Sequence, residues 1–244
     1  MMDSPSTLSP SWVVIIPAAG VGRRFGASLP KQFLPLADRP ILVHTVERVL
    51  SLPASVRVVI AAHGDMIQET SQALASAGIN ESLVGIVSGG EERQDSVRRA
   101  LDHPWCQDAD VVFVHDAVRP LATHAVFLRV AEAAMADGAA VPIVPVTDTI
   151  KERSACGLVA ATPRRDSLCA VQTPQGFRRG VLQAAHVRAH AEGWVGTDDA
   201  SFVERCQQAV RCVDGEPWNI KITSPSDLHL AEYLFKEQHP ENNM

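Results

Sequence analysis

Short runs rich in β-branched and small apolar residues recur along the chain at Val13 to Ile16, Val56 to Ala61, Gly85 to Val87, Asp110 to Val114 and Ala140 to Val146. Each is too short for a helix and reads as a buried strand. The segments between them, Ile41 to Leu50, Met66 to Ala77, Asp95 to Leu101 and His124 to Met135, repeat their apolar residues at helical spacing. This alternation predicts an α/β fold, a parallel sheet covered by helices on both faces. Ligands of such sheets bind beyond the carboxyl ends of the strands. The turn after Ile16, the Gly89-Gly90 turn and Asp116 all fall at strand ends, so one crevice can collect them.

From Thr147 to about Pro174 the pattern changes. Two short apolar stretches, Gly157 to Ala161 and Ser167 to Val171, are separated by Thr162-Pro-Arg-Arg-Asp166. That spacing predicts a hairpin projecting from the main body, and an isolated two-stranded hairpin is marginal in water, so something should cover it. One domain over residues 12–236 is expected, with 147–174 as its arm. Residues 1–11 and 237–244 are polar and read as disordered or frayed tails.

The first turn carries the densest chemistry. Pro17 lacks the N–H with which a strand would go on pairing, so the strand is expected to stop there. Ala18, Ala19, Gly20 and Gly22 leave backbone N–H groups uncovered for a close ligand, and Arg23, Arg24 and Lys31 add mobile cations to the same volume. That combination suits a polyphosphate. Two other glycine loops are excluded. A dinucleotide fingerprint needs a third glycine where Phe25 stands, and no Gly-Lys pair occurs for a Walker loop. An ordinary tight turn with solvated charges is the alternative.

Composition narrows the partners. The net charge of −6 and pI of about 5.8 argue against a binder of duplex nucleic acid, which usually presents a basic face. The five cysteines show no C-x-x-C spacing and read as reduced core residues. No apolar run approaches the roughly 18 residues of a membrane span, and nothing at the start reads as a signal peptide, so a cytoplasmic location is expected. His186 and His190 stand four apart, yet no glutamate follows His186 and no third ligand is apparent, so they read as a solvated helix face.

The loop Pro17-Ala-Ala-Gly-Val-Gly-Arg-Arg24 with Pro30-Lys-Gln32 resembles the signature of nucleotidyltransferases that activate sugar and polyol phosphates. Gly89-Gly-Glu-Glu-Arg-Gln-Asp-Ser96, Val114-His-Asp-Ala-Val-Arg-Pro120, Thr147-Asp-Thr-Ile-Lys151, Gln172-Thr-Pro-Gln175, Thr197-Asp-Asp-Ala-Ser201 and Asn219-Ile-Lys-Ile-Thr223 follow in order. Together they resemble the 2-C-methyl-D-erythritol 4-phosphate cytidylyltransferase family. The likeness runs from about Val13 to about Leu234.

The resemblance implies a Rossmann-like twisted sheet, CTP and 2-C-methyl-D-erythritol 4-phosphate as substrates, Mg²⁺ as cofactor, and a homodimer in which the β-arm packs on a second subunit. It implies Arg24 and Lys31 as catalytic residues, and Pro17, Ala18, Ala19, Gly20, Gly22, Gly90, Glu91, Ser96 and Lys221 as nucleotide-binding. Glu91 stands where the family leads one to expect aspartate. Ala117, Arg119, Thr149, Arg165, Thr173 and Thr197 are implied for the polyol phosphate, with Thr149 and Arg165 serving the neighbouring subunit. Asp116 is implied as the metal ligand; a turn or capping carboxylate is the alternative. A ribitol 5-phosphate cytidylyltransferase, or a nucleotide-binding module without turnover, remains open.

Overall fold

The β-branched run at Val13 forms the middle of the sheet. The computed structural model describes residues 10–20 and 29–238. In chain order these form β1 (Ser11–Ala18), a small hairpin of β2 (Pro35–Leu36) and β3 (Arg39–Pro40), α1 (Ile41–Leu50), β4 (Ser55–Ala62), α2 (Ile67–Ser76), β5 (Val84–Ser88), α3 (Arg93–Leu101), α4 (Pro104–Gln107) and β6 (Val111–Val114). There follow α5 (His124–Asp137), β7 (Ala139–Pro145), β8 (Glu152–Arg153), β9 (Val159–Ala161), β10 (Cys169–Val171), β11 (Gln175–Arg178), α6 (Arg179–Ala191), α7 (Ala200–Arg205), β12 (Arg211–Asp214) and α8 (Pro225–Gln238).

Eight strands make one sheet in the order β10-β7-β11-β6-β1-β4-β5, with β12 also paired to β7. Strands β1, β4, β5 and β6 pair in parallel, as do β7 and β12, while β10 and β11 run antiparallel to their neighbours. Alternation along β1 sends Val14, Ile16 and Ala18 to a core with α1, α2 and α5, through residues such as Val46, Leu74 and Phe127. Val13 and Ile15 face the opposite core with Val97 of α3, Leu182 of α6 and Phe202 of α7. The mostly parallel α/β sheet with helices on both faces is therefore the observed fold. A third cluster joins Leu36, Val118 and Ile222 to Leu234 and Phe235 of α8.

Three expectations need correction. Strand β1 does not stop before Pro17, which pairs with Ala61 of β4. Ile15 O accepts from His115 N at 2.9 Å, so Ile15, and Pro17 two residues on, turn their hydrogen-bonding edges toward β6. The β6 ladder ends at the Ile15–Val114 pair, so the missing proline N–H breaks no bond. The two arm stretches do not pair with each other: Val159–Ala161 pairs with Glu152–Arg153, and Cys169–Val171 returns to the main sheet against β7. The partner of β10 is instead the far end of β7, at Ile143 to Pro145. Ser11, assigned to the N-terminal tail, already pairs with Ser55 and donates from its N–H to Asp110 Oδ2 at 2.8 Å.

Gly176 lies in β11 between β6 and β7, where an added Cβ would stand 2.6 Å from Val130 Cγ1 and 3.2 Å from the Phe113 ring. Gly176→Ala should therefore destabilise the fold by about 1–3 kcal/mol through overpacking. A lowered urea midpoint with unchanged slope checks this; an unchanged midpoint would mean that α5 yields freely.

Candidate active site

Two adjoining clefts open at the carboxyl ends of β1, β5 and β6. The first is bounded by Pro17 to Gly20, Lys31, Gly90, Ser96 and Asp116, and encloses about 630 Å³ of space open to solvent. The second is bounded by Arg119, Thr173, Gln175 and Thr197, and encloses about 620 Å³. Arg93, Asp116 and Lys221 border both.

The first cleft is shaped by backbone and by two side chains that hold it. Gln32, almost fully buried, donates from Nε2 to Ala18 O at 2.7 Å and to Gly20 O at 3.3 Å, tying the Lys31 turn to the end of β1. Facing it, Gly89 N donates to Ala62 O at 2.7 Å. A Cβ on Gly89 would stand 2.5 Å from Ala19 Cβ, and one on Gly90 would stand 2.3 Å from Asp95 Cβ. Gly89 thus lets the two turns approach, and Gly90 lets its own turn close on Asp95. Ser96 Oγ accepts from Gly90 N at 3.0 Å and donates to Glu92 O at 3.2 Å, so its hydroxyl shapes the turn from within. Gly89 O accepts from Arg99 Nη1 at 2.6 Å, and Glu91 is exposed at the rim.

Asp116, following β6, is the hub. Its Oδ2 lies 2.9 Å from Lys221 Nζ and 3.4 Å from Arg119 Nε, and its Oδ1 lies 3.7 Å from Arg93 Nε. Burial alone would raise its pKa; Lys221, Arg93 and Arg119 outweigh burial and hold the carboxyl well below the usual range. Arg119 is itself buried, donating from Nη1 to Asn219 O at 2.6 Å. Ile222 N donates to Val118 O at 3.0 Å, which keeps the Lys221 segment beside the Asp116 loop.

Behind Asp116 lies a polar chain of fixed direction. His115 Nε2 is 3.1 Å from Arg119 O, which can only accept, so Nε2 carries the proton and Nδ1 accepts from Thr173 Oγ1 at 3.0 Å. Thr173 Oγ1 in turn accepts from Asp116 N at 3.0 Å. Burial pushes the His115 pKa down to about 4, so the ring is neutral near pH 7.

The structure thus gathers Pro17, Ala18, Ala19, Gly20, Lys31, Gly90, Glu91, Ser96, Asp116, Ala117, Arg119, Thr173, Thr197 and Lys221 around the two clefts. Thr149 and Arg165 border neither cleft of their own chain; Arg165 Nη1 donates to Thr147 O at 2.9 Å within the arm. Gly22 and Arg24 lie outside the described residues. Sequence reasoning missed Gln32, Arg93, Asp199 and His186. The first three stand inside the quoted motifs, whereas His186, read as solvated, is buried with its Nε2 3.0 Å from Asp199 Oδ1. Among the described residues no three His, Cys, Asp or Glu side chains gather to hold a metal ion. A divalent cation at Asp116 would find one protein carboxylate, already faced by three cations. The donor set therefore fits Mg²⁺ only when a triphosphate brings the other oxygens and the balancing charge.

A Rossmann-like sheet with a glycine-walled cleft joined to a second, cation-lined cleft is the architecture of a nucleotidyltransferase. Residues 12–237 match the model of the 2-C-methyl-D-erythritol 4-phosphate cytidylyltransferase family, and the chain belongs to that family. It is 49% identical over 225 residues to the protein of that name from Symbiobacterium thermophilum, covering 92% of this chain and 93% of the relative. It is 42% identical to the one from Acidobacterium capsulatum, over 92% of this chain and 97% of the relative. The crystal structure of the Thermus thermophilus protein of the same name superposes with a TM-score of 0.73 at 34% identity, over 91% of this chain and 98% of that one.

The neutral His115 has a measurable signature. Its folded pKa of about 4 lies below the unfolded value of 6.5, so its contribution to stability is complete above pH 6.5 and is lost as pH falls toward 4. The stability gap between wild type and His115→Asn should narrow by about 3 kcal/mol over that window. Urea unfolding of both proteins at pH 7.5, 6, 5 and 4 checks it; a gap that does not change with pH would show that the imidazole titrates normally.

Proposed function

We propose that the enzyme transfers the cytidylyl group of CTP to the phosphate of 2-C-methyl-D-erythritol 4-phosphate. The products are 4-diphosphocytidyl-2-C-methyl-D-erythritol and pyrophosphate, in non-mevalonate isoprenoid precursor synthesis. An acceptor phosphate oxygen attacks the α-phosphorus, and the bond to the β-phosphate oxygen breaks. The nucleophile is already ionised near neutral pH, so no side chain need remove a proton. Both imidazoles near the site, His115 and His186, are buried and held by internal hydrogen bonds, which accords with that economy.

The observation that carries this reading is the pair of clefts meeting at Asp116 and Lys221. The glycine-walled cleft suits CTP, with its triphosphate near Gly20 and Lys31. The second suits the polyol phosphate, beside Arg119, Thr173 and Thr197. Lys31, with Arg24, stabilises charge that grows on the α-phosphate oxygens, and Lys221 brings the two phosphates together. Asp116 and triphosphate oxygens would hold Mg²⁺, which when bound neutralises triphosphate charge and orients the leaving pyrophosphate.

The protein acts as a homodimer in this reading. The small β8–β9 sheet leaves Leu158 and Val159 at 70% and 64% exposure, with Ile150 exposed nearby. Thr149 and Arg165, which border neither cleft of their own chain, complete the partner's acceptor site.

Pyrophosphate release with each of the four NTPs, combined with methylerythritol phosphate or ribitol 5-phosphate, tests the reaction. Turnover is expected with CTP and methylerythritol phosphate alone; faster turnover with ribitol 5-phosphate would reassign the acceptor. Shared sites predict complementation. Mixing inactive Arg165→Ala and Asp116→Asn subunits should restore about a quarter of wild-type sites, because half of random dimers are mixed and each holds one intact pocket. Mixed dimers, detected by mass, with no recovered activity would assign each arm to its own chain.

A further inference from the structure

Of the three side chains shared by both clefts, Arg93 is the one to which the motif reading gave no role. It leaves the first turn of α3, is 30% exposed, and donates from Nη1 to Asp199 Oδ2 at 2.6 Å. Asp199 has no exposure, and its other oxygen accepts from His186 Nε2 of α6 at 3.0 Å. Gln175 Oε1 accepts the backbone N–H groups of Asp199 and Ala200, both at 3.2 Å. The carboxylate is thus fixed from both sides. A guanidinium has five N–H donors, and among the described residues Asp199 is the only hydrogen-bond partner Arg93 has. Its remaining donors are available to whatever occupies the clefts it borders. Asp116 and Asp198 stand in the cleft with Arg93, Arg119 and Lys221, so it is the unused N–H donors of Arg93 at the meeting of the clefts, not a net charge, that suit an anion.

We propose that Arg93 binds a phosphate oxygen of the substrates where the two clefts meet, and that Asp199 and His186 are positioning residues that hold its guanidinium there. The inference rests on the cytidylyltransferase reading of this site. The oxygen belongs to the acceptor phosphate or to the CTP triphosphate, and kinetics separate the two.

Arg93→Lys keeps the charge and can still reach Asp199, but loses the planar fork. In steady-state pyrophosphate release by the full chain with CTP, methylerythritol phosphate and Mg²⁺, it should lower kcat/KM about 30-fold or more while the melting temperature stays near that of wild type. A rise in KM for methylerythritol phosphate assigns the acceptor phosphate; a rise in KM for CTP assigns the triphosphate. His186→Gln, whose amide can donate to Asp199, should stay near wild type, whereas His186→Phe should raise the same substrate's KM as Arg93→Lys does. A purely structural role would lower the melting temperature without singling out one substrate. Should His186→Phe not fold, Arg93→Lys decides alone. Wild-type kcat and KM values in Arg93→Lys would overturn the proposal. Absence of turnover in the wild type would instead refute the assigned reaction.

Discussion

The compensated charge of Asp116 is the interaction on which the site depends. A buried carboxylate is stable only when cations and hydrogen bonds replace the water it has lost. Here the compensation comes from Arg93 at the start of α3, Arg119 three residues downstream, and Lys221 near the chain's end. One carboxylate therefore draws three separate segments to one point. Removing a cation would leave part of a buried charge unpaired, a defect of on the order of 3–5 kcal/mol when such a pair is broken. Lys221 is partly exposed, and water lessens its share.

The same arrangement divides the chemistry between the clefts. Backbone and glycine dominate the first cleft, where Gln32, Gly89 and Ser96 hold two turns within contact distance. Charge dominates the other side, where Arg119, Thr173 and Lys221 gather. A flat base and an extended triphosphate suit a narrow slot; a small phosphorylated polyol suits charged and hydroxyl groups.

What could be read from the sequence was what is local. Helix α1 falls at Ile41–Leu50, as its periodicity predicts, and β4 and β7 lie within one residue of the apolar runs that announced them. Glycine turns and Asp116 stand in short motifs whose chemistry needs no distant partner. Strand β12 is short and mostly exposed, so no alternation marked it, and the apolar stretch that contains β10 did not reveal its partner; both join the sheet through β7. The arm was misread for the same reason: adjacency suggested a hairpin, but pairing with a distant strand won. Arg93 and Asp199 lie 106 residues apart, and nothing near either position reveals the contact. His186 looked solvated because helical spacing records which residues share a face, not what covers it.

Strand β10 carries a consequence for engineering. Val171 pairs with Ile143, Gln172 N donates to Pro142 O at 2.8 Å, and the next residue is Thr173, whose hydroxyl supports Asp116. The outgoing and returning limbs of the arm therefore differ in kind: Glu152 to Ala161 form a sheet of their own, while Cys169 to Val171 join the main sheet and Val171 to Thr173 line the second cleft. A loop swap or deletion in the arm can be cut from the first limb. If it reaches the second, it dismantles the pocket.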